Sequence, residues 1–306
     1  MLLQYYLEKL NYGEMPEFLV KYLESPCLVR LKKISYLCGM EYASKDIYDI
    51  KVFVSRFDHS LTVALLTCRL TKNKKATIAA LVHDISTSCF SHVVDFMNGD
   101  YEKQESTEEF TEFILTNDKY FMSCLESDNI DLDDIVNFKK YTIVDNDRPK
   151  LCADRLDGII STGISWTNNI SKEDIDLIVD DMCICKNEDC EDEIGFRTLS
   201  VVEKILDVSR SIDIYCHSNE DVYLMNLLVD IVRIAIDKDY IKYKDLFFLN
   251  EDELFSIFYS SNDQELLNLL TIFKSIKPNE IPNVDSSKVK IRSLNPLVNG
   301  KRALLS

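Results

Sequence analysis

Apolar residues recur along this chain at the spacing of helix faces. Leu61, Ala64, Leu65 and Cys68 fall at i, i+3, i+4 and i+7, which sets them in one stripe. Met225, Leu228, Val229, Val232, Ala235 and Ile236 repeat that spacing, Val202, Ile205, Leu206 and Ser209 predict another helix, and Leu266, Leu269, Leu270 and Phe273 a further one. Between about 181 and 197 the helical period breaks. The segment DMCICKNEDCEDEIGFR reads as two short strands around a polar turn at Lys186 to Asp189. Residues 277–306 differ again, with three prolines and six basic residues (277, 288, 290, 292, 301 and 302) against Glu280 and Asp285. This predicts a helical body over 1–276 and an extended basic tail packed on that body or on a neighbouring subunit.

Glycine and proline usage sharpens the helical reading. The chain holds 7 glycines in 306 residues, where average usage gives about 21. No proline lies between Pro26 and Pro149 or between Pro149 and Pro278, and proline-free runs of that length favour helices. The expected fold is all-α, with about a dozen helices and one short hairpin. With no GxGxxG, and Ile164 standing where a phosphate loop after Gly158 needs lysine, nucleotide binding through a glycine-rich loop is disfavoured.

Charge narrows the partners. With 35 Lys+Arg against 52 Asp+Glu, the net charge is −17, which disfavours a nucleic acid polymer, since phosphate backbones demand concentrated positive charge. An anionic small molecule stays compatible if a metal supplies local charge. The start, MLLQYYLEKL, carries Glu8 and Lys9 and reads as no export signal, and no run of 18 apolar residues predicts a membrane span. Ten cysteines in such a chain point to a reducing, cytoplasmic setting with packed thiols. Cys183, Cys185 and Cys190 form a CxCxxxxC trio that lacks the CxxC knuckle and an evident fourth ligand, so packing is preferred over zinc.

Candidate chemistry sits with the histidines. Three of the four, His59, His83 and His92, lie within 34 residues. His83 is followed at once by Asp84 at the end of an apolar helix, His59 opens the preceding one within SRFDHS, and Asp154 lies in LCADRLDG. Two histidines and two aspartates from three helices make a nitrogen–oxygen ligand set with positions left for water and a phosphate oxygen. Mn, Fe, Zn, Co or Mg would suit it.

SRFDHS, LVHDIS, CFSH and ADRLD stand in the order and approximate spacing of the HD-domain metal-dependent phosphohydrolases, and the chain resembles their deoxynucleoside triphosphate triphosphohydrolase branch. ESPCLVRLKKISYL is similar to that branch's TPxFQRLRxIxQL segment, and Tyr215-Cys216-His217 to its YxH element. LNEDELF looks like its aspartate-rich late helix start, and RSLNPLVNGKR like its closing basic strand. The resemblance covers roughly 20 to 306, with the HD core at about 50–165. It implies metal ligands His59, His83, Asp84 and Asp154, and a phosphate-contacting Arg56 on the same helical face as His59. It also implies a catalytic group of His92, Asp95 and Glu105, with substrate contacts from Arg155, Tyr215 and His217, and a homo-oligomer.

The departures from the family concern the leaving group. Thr87 stands where the family carries a later histidine of HDxxH, and Gln104 where it carries the histidine of a His-Glu pair. Those histidines are held to supply or position the departing oxygen's proton, help worth about 10²–10⁴ in rate. Ser218 and Asn219 replace basic residues that hold polyphosphate, and Tyr36 replaces a glutamine beside the base. The expected activity is hydrolysis of a nucleotide or related phosphate ester by a metal-activated water. The alternative is an attenuated HD-domain protein that binds metal and nucleotide as a sensor.

Overall fold

The computed structural model describes residues 2–100, 110–286 and 289–304. It is mostly helical, with fifteen α-helices among the described residues. At its centre lies the Arg56–Thr71 helix, buried on nearly every side from Arg56 to Thr67. Ser55 and Asp58 start it with a reciprocal capping box, which satisfies two otherwise orphaned backbone donors. Lys72 turns the chain through a left-handed conformation, and Asn73 caps the Lys74–Val82 helix, whose residues from Ala76 to Val82 are all buried. The Ala153–Ser165 helix packs across the same core and places Asp154 in its first turn. Gly163 permits a close crossing there, because a Cβ would sit 2.4 Å from Ile170 Cγ1.

The helices anticipated from apolar spacing are all present, as Arg56–Thr71, Leu199–Cys216, Asn219–Asp237 and Gln264–Ser275. The hairpin is Met182–Lys186 with Asp192–Phe196, antiparallel, with Met182 opposite Phe196. Its turn occupies 187–191 rather than 186–189, because Asn187 folds back to accept the backbone N–H groups of Asp189 and Glu191 at 3.0 Å each. A further departure is the tail. Leu297–Val298 pairs in parallel with Gly195–Phe196 and turns back into Lys301–Arg302, which completes a four-stranded sheet. Strands of two residues carry no readable period, so sequence patterning could not show them. Arg302 reaches the fully buried Glu193 at 2.6 Å and Glu188 at 2.8 Å, joining the basic tail to the acidic body.

A second buried polar network ties the late helices to the core. Glu251, at the start of the Glu251–Ser260 helix, accepts the backbone N–H groups of Ser35 at 3.0 Å and Phe90 at 2.9 Å. The Ser35 carbonyl accepts the Ser91 hydroxyl, whose oxygen in turn accepts Arg56 Nε–H at 2.9 Å. Burial, and then the neighbouring Glu41 carboxylate, push the Glu251 pKa up from 4.5 to about 8. The folded state therefore keeps a proton that the unfolded chain releases. Stability should fall as pH rises from 4.5 through 8, approaching about 1.4 kcal/mol per pH unit where only the unfolded state is ionised. Denaturant midpoints measured across that window should show a flatter profile for Glu251→Gln; an unchanged slope would remove this group as its cause.

Candidate metal centre

Three helices converge on one point. His59 is one turn into the Arg56–Thr71 helix, His83 closes the Lys74–Val82 helix, and Asp154 opens Ala153–Ser165. Ligand atoms of His59, His83 and Asp154 all lie within 4.8 Å of one another. His59 Nε2 is 3.1 Å from Asp154 Oδ1, and His83 Nε2 is 3.5 Å from the same oxygen. Asp84 flanks this group rather than joining it, its two oxygens 3.6 Å from His59 Nε2 and 3.8 Å from His83 Nε2.

Both imidazoles are held from behind. His59 Nδ1 bonds Asp157 Oδ2 at 2.6 Å, and His83 Nδ1 donates to the Ala80 carbonyl at 2.7 Å. These contacts leave both Nε2 atoms facing the centre, as metal-binding histidines require. His83 Nε2 is buried and makes no hydrogen bond among the described residues. Such an atom normally costs stability, and a cation bound here would satisfy it. The donor set therefore fits a divalent transition metal: two imidazole nitrogens, Asp154 and, beside them, Asp84.

Without a cation, the acids of the cluster set its charge state. Burial would drive the proton from His59, but hydrogen bonds to Asp154 and Asp157 hold its pKa up at about 10. Burial would raise Asp84, and the positive charges of His83, Arg56 and His59 instead hold its carboxyl well below the usual range. Asp154 is held low in the same way by His59 and His83.

The other residues singled out from sequence separate into groups. Arg56, 5% exposed, lies on the His59 helix, but its Nη1 donates to Asp84 Oδ2 at 2.7 Å and its guanidinium stacks 4.7 Å over the Tyr36 ring. It steadies a candidate ligand as well as facing the cavity. His92 Nδ1 meets Asp95 Oδ2 at 2.9 Å, and both line the same cavity as His83, Asp84 and Asp154, as does Thr87. Burial lowers the His92 pKa despite the adjacent carboxylate. Arg155 also lines it, while its guanidinium donates to the Lys150 carbonyl and to Asn146. Tyr215 and His217 stand apart: among the described residues Cys216 lines the cavity, whereas the Tyr215 ring packs on Trp166 and His217 Nδ1 donates to the Asp213 carbonyl. Successive helical residues diverge by about 100°, so a three-residue element cannot turn every side chain inward. Glu105 and Gln104 lie outside the described residues.

Sequence patterning alone singles out no role for Asp157, Arg148, Lys290 or Arg292. ADRLD held the signal for Asp157, since i, i+3 spacing from Asp154 puts it on the same helical face. Tyr36, which stands in place of a glutamine, has its ring 4.6 Å from that of His59, and its hydroxyl fills space that a Cβ on Gly158 would need, 2.7 Å away.

The cavity above the centre measures about 850 Å³. Seven basic and seven acidic side chains line it, although acids outnumber bases 52 to 35 in the whole chain. Arg148 sits among like charges. Burial, and then Arg155 and Arg292, lower its pKa, and its Nη1 donates to the Ser293 carbonyl at 3.2 Å. The tail supplies Lys290 and Arg292.

Residues 56–144 match the HD domain family. That segment contains His59, His83 and Asp84 and ends before Asp154. The likeness to the HD domain is carried by this stretch of the chain. The chain is also similar to the uncharacterized protein YdhJ of Bacillus subtilis (strain 168), 25% identical over 252 residues, which span 80% of this chain and 74% of that protein. Among the described residues no helix is long and apolar enough to cross a membrane.

Asp157→Asn should lower affinity for Mn²⁺ or Zn²⁺ by about 10- to 100-fold, the usual effect of loosening a ligand's outer partner. Calorimetric titration measures this, with circular dichroism to verify folding and His83→Ala as the variant that loses a ligand outright. Unchanged affinity in Asp157→Asn would show that His59 needs no such anchor.

Proposed function

We propose that this chain is a metal-dependent phosphohydrolase acting on a nucleotide or a related phosphate ester, similar in reaction to the deoxynucleoside triphosphate triphosphohydrolases. One observation carries the reading: His83, Asp84 and Asp154 of the candidate ligand set line a large cavity with Arg148, Arg155 and Arg292, in a chain that is otherwise strongly acidic. His59, His83, Asp84 and Asp154 would hold a divalent cation, which would supply Lewis-acid polarisation of a phosphoryl oxygen and activation of water.

The chain's own residues do the rest. Arg148 and Arg292 attract and orient the phosphate by charge-assisted hydrogen bonds. Asp95, held against His92, accepts a proton from the attacking water or orders it. Arg56 fixes the Asp84 carboxylate and balances its charge. The cavity admits a ligand of nucleotide size within the usual range for small-molecule sites.

A sensor that binds nucleotide with little turnover is the second reading. Thr87 favours it, since a threonine hydroxyl is a poor general acid, and so does Arg56, whose Nη1 is already committed to Asp84. The two readings part on turnover. After metal stripping, nucleoside mono- and triphosphates would be screened with Mn²⁺, Mg²⁺, Co²⁺ and Zn²⁺. Release of orthophosphate or triphosphate is expected with at least one metal. Arg292→Gln should then raise KM about tenfold with kcat retained, because a charge-assisted bond contributes about 1.5 kcal/mol of binding. Tight nucleotide binding without release under any metal would favour the sensor.

A further inference from the structure

The strand Met182–Lys186 carries two thiols that the centre above does not use. Cys183 and Cys185 alternate with Ile184 and so project from one face of the strand. Same-face neighbours on a strand have Cα atoms about 6.7 Å apart, yet the two Sγ atoms approach to 3.7 Å. The side chains have turned toward each other. Both are half-buried, and the strand is the outer one of the four-stranded sheet, so solvent reaches them.

The opposing strand is shaped to this pair. Gly195 faces Cys183 in register. A Cβ there would lie 2.7 Å from Cys185 Sγ, closer than atoms tolerate. Glycine is a poor strand residue, and inside a strand it often marks a close approach by another group. Here the space it leaves holds the Cys185 sulfur. The spacing also has chemical meaning. Zinc–thiolate bonds of about 2.3 Å in tetrahedral geometry put two sulfurs about 3.8 Å apart, close to the observed separation.

We propose that Cys183 and Cys185 form a two-thiolate site for a soft d¹⁰ cation of the Zn²⁺ and Cd²⁺ class, separate from the histidine centre. Binding forms two metal–sulfur bonds and releases two thiol protons to solvent, with no change of oxidation state, and water fills the remaining positions. Cys190, exposed in the 187–191 turn, is not part of the pair.

The test is a Cd²⁺ titration of the full-length, reduced, metal-stripped protein, read by the ultraviolet thiolate-to-cadmium charge-transfer band. A histidine–carboxylate centre gives no such band, so the readout is independent of the proposed hydrolase site. The band should saturate at one equivalent and be displaced by Zn²⁺. It should vanish in Cys183→Ser and in Cys185→Ser, and persist in Cys190→Ser and His83→Ala. Gly195→Ala, checked for folding by circular dichroism, should weaken binding about 10- to 100-fold by pushing the sulfur from its seat. Absence of a band in the native protein would reduce the pair to a plain S–H···S contact. A band that survives the Cys183 and Cys185 variants, or that depends on Cys190, would also overturn the proposal.

Discussion

Burying ionised groups among packed helices is costly unless each finds a partner, and this constraint organises the middle of the protein. His59 lies between Asp157 behind it and Asp154 in front, while Arg56 from the same helix neutralises Asp84. Removing any one member leaves another charge without compensation in a buried setting. The surrounding packing serves this arrangement. The central helix is buried almost all round, and the Ser55 capping box fixes where it starts. From Arg56 a line of hydrogen bonds runs through Ser91 and Ser35 to Glu251 in the late helical layer. The site is therefore braced from elements far apart in sequence.

Much of the fold could be read from sequence because helices leave a period. Met225 to Ile236 spaced themselves as one face, and the Asn219–Asp237 helix presents Met225, Leu228, Val229, Val232 and Ala235 to the core. The ligand candidates were legible for a related reason: His83-Asp84 and ADRLD fall at helix ends, where side chains from different helices can meet. Less legible was anything set by tertiary contact alone. Spacing puts Asp157 on the Asp154 face, but only the packed structure shows it behind His59. The closing Leu297–Val298 and Lys301–Arg302 strands are too short to pattern, and their place is set by pairing to Gly195–Phe196 and by Arg302 meeting Glu193. The likeness of Tyr215-Cys216-His217 to a YxH element does not say which side of a helix end faces a cavity.

Net charge describes the protein's exterior better than its cavity. A chain at −17 repels polyanions at long range, but screening limits that field to about 8–10 Å at physiological salt. Within the cavity, local composition governs. The tail carries Arg292 and Lys290 to a wall that also holds Arg148 and Arg155, so the segment that closes the sheet also changes the electrostatics above the ligand set. The acidic body thus holds a cavity whose lining carries as many basic as acidic side chains.

The central claim is that His59, His83 and Asp154 hold one ion. Electron spin echo spectroscopy of the Mn²⁺-loaded protein tests it most directly, because coupling to imidazole nitrogen reports the ligands themselves. Modulation from two histidine nitrogens is expected, falling to one in His83→Ala with the fold intact. Bound Mn²⁺ showing no nitrogen coupling would contradict the account.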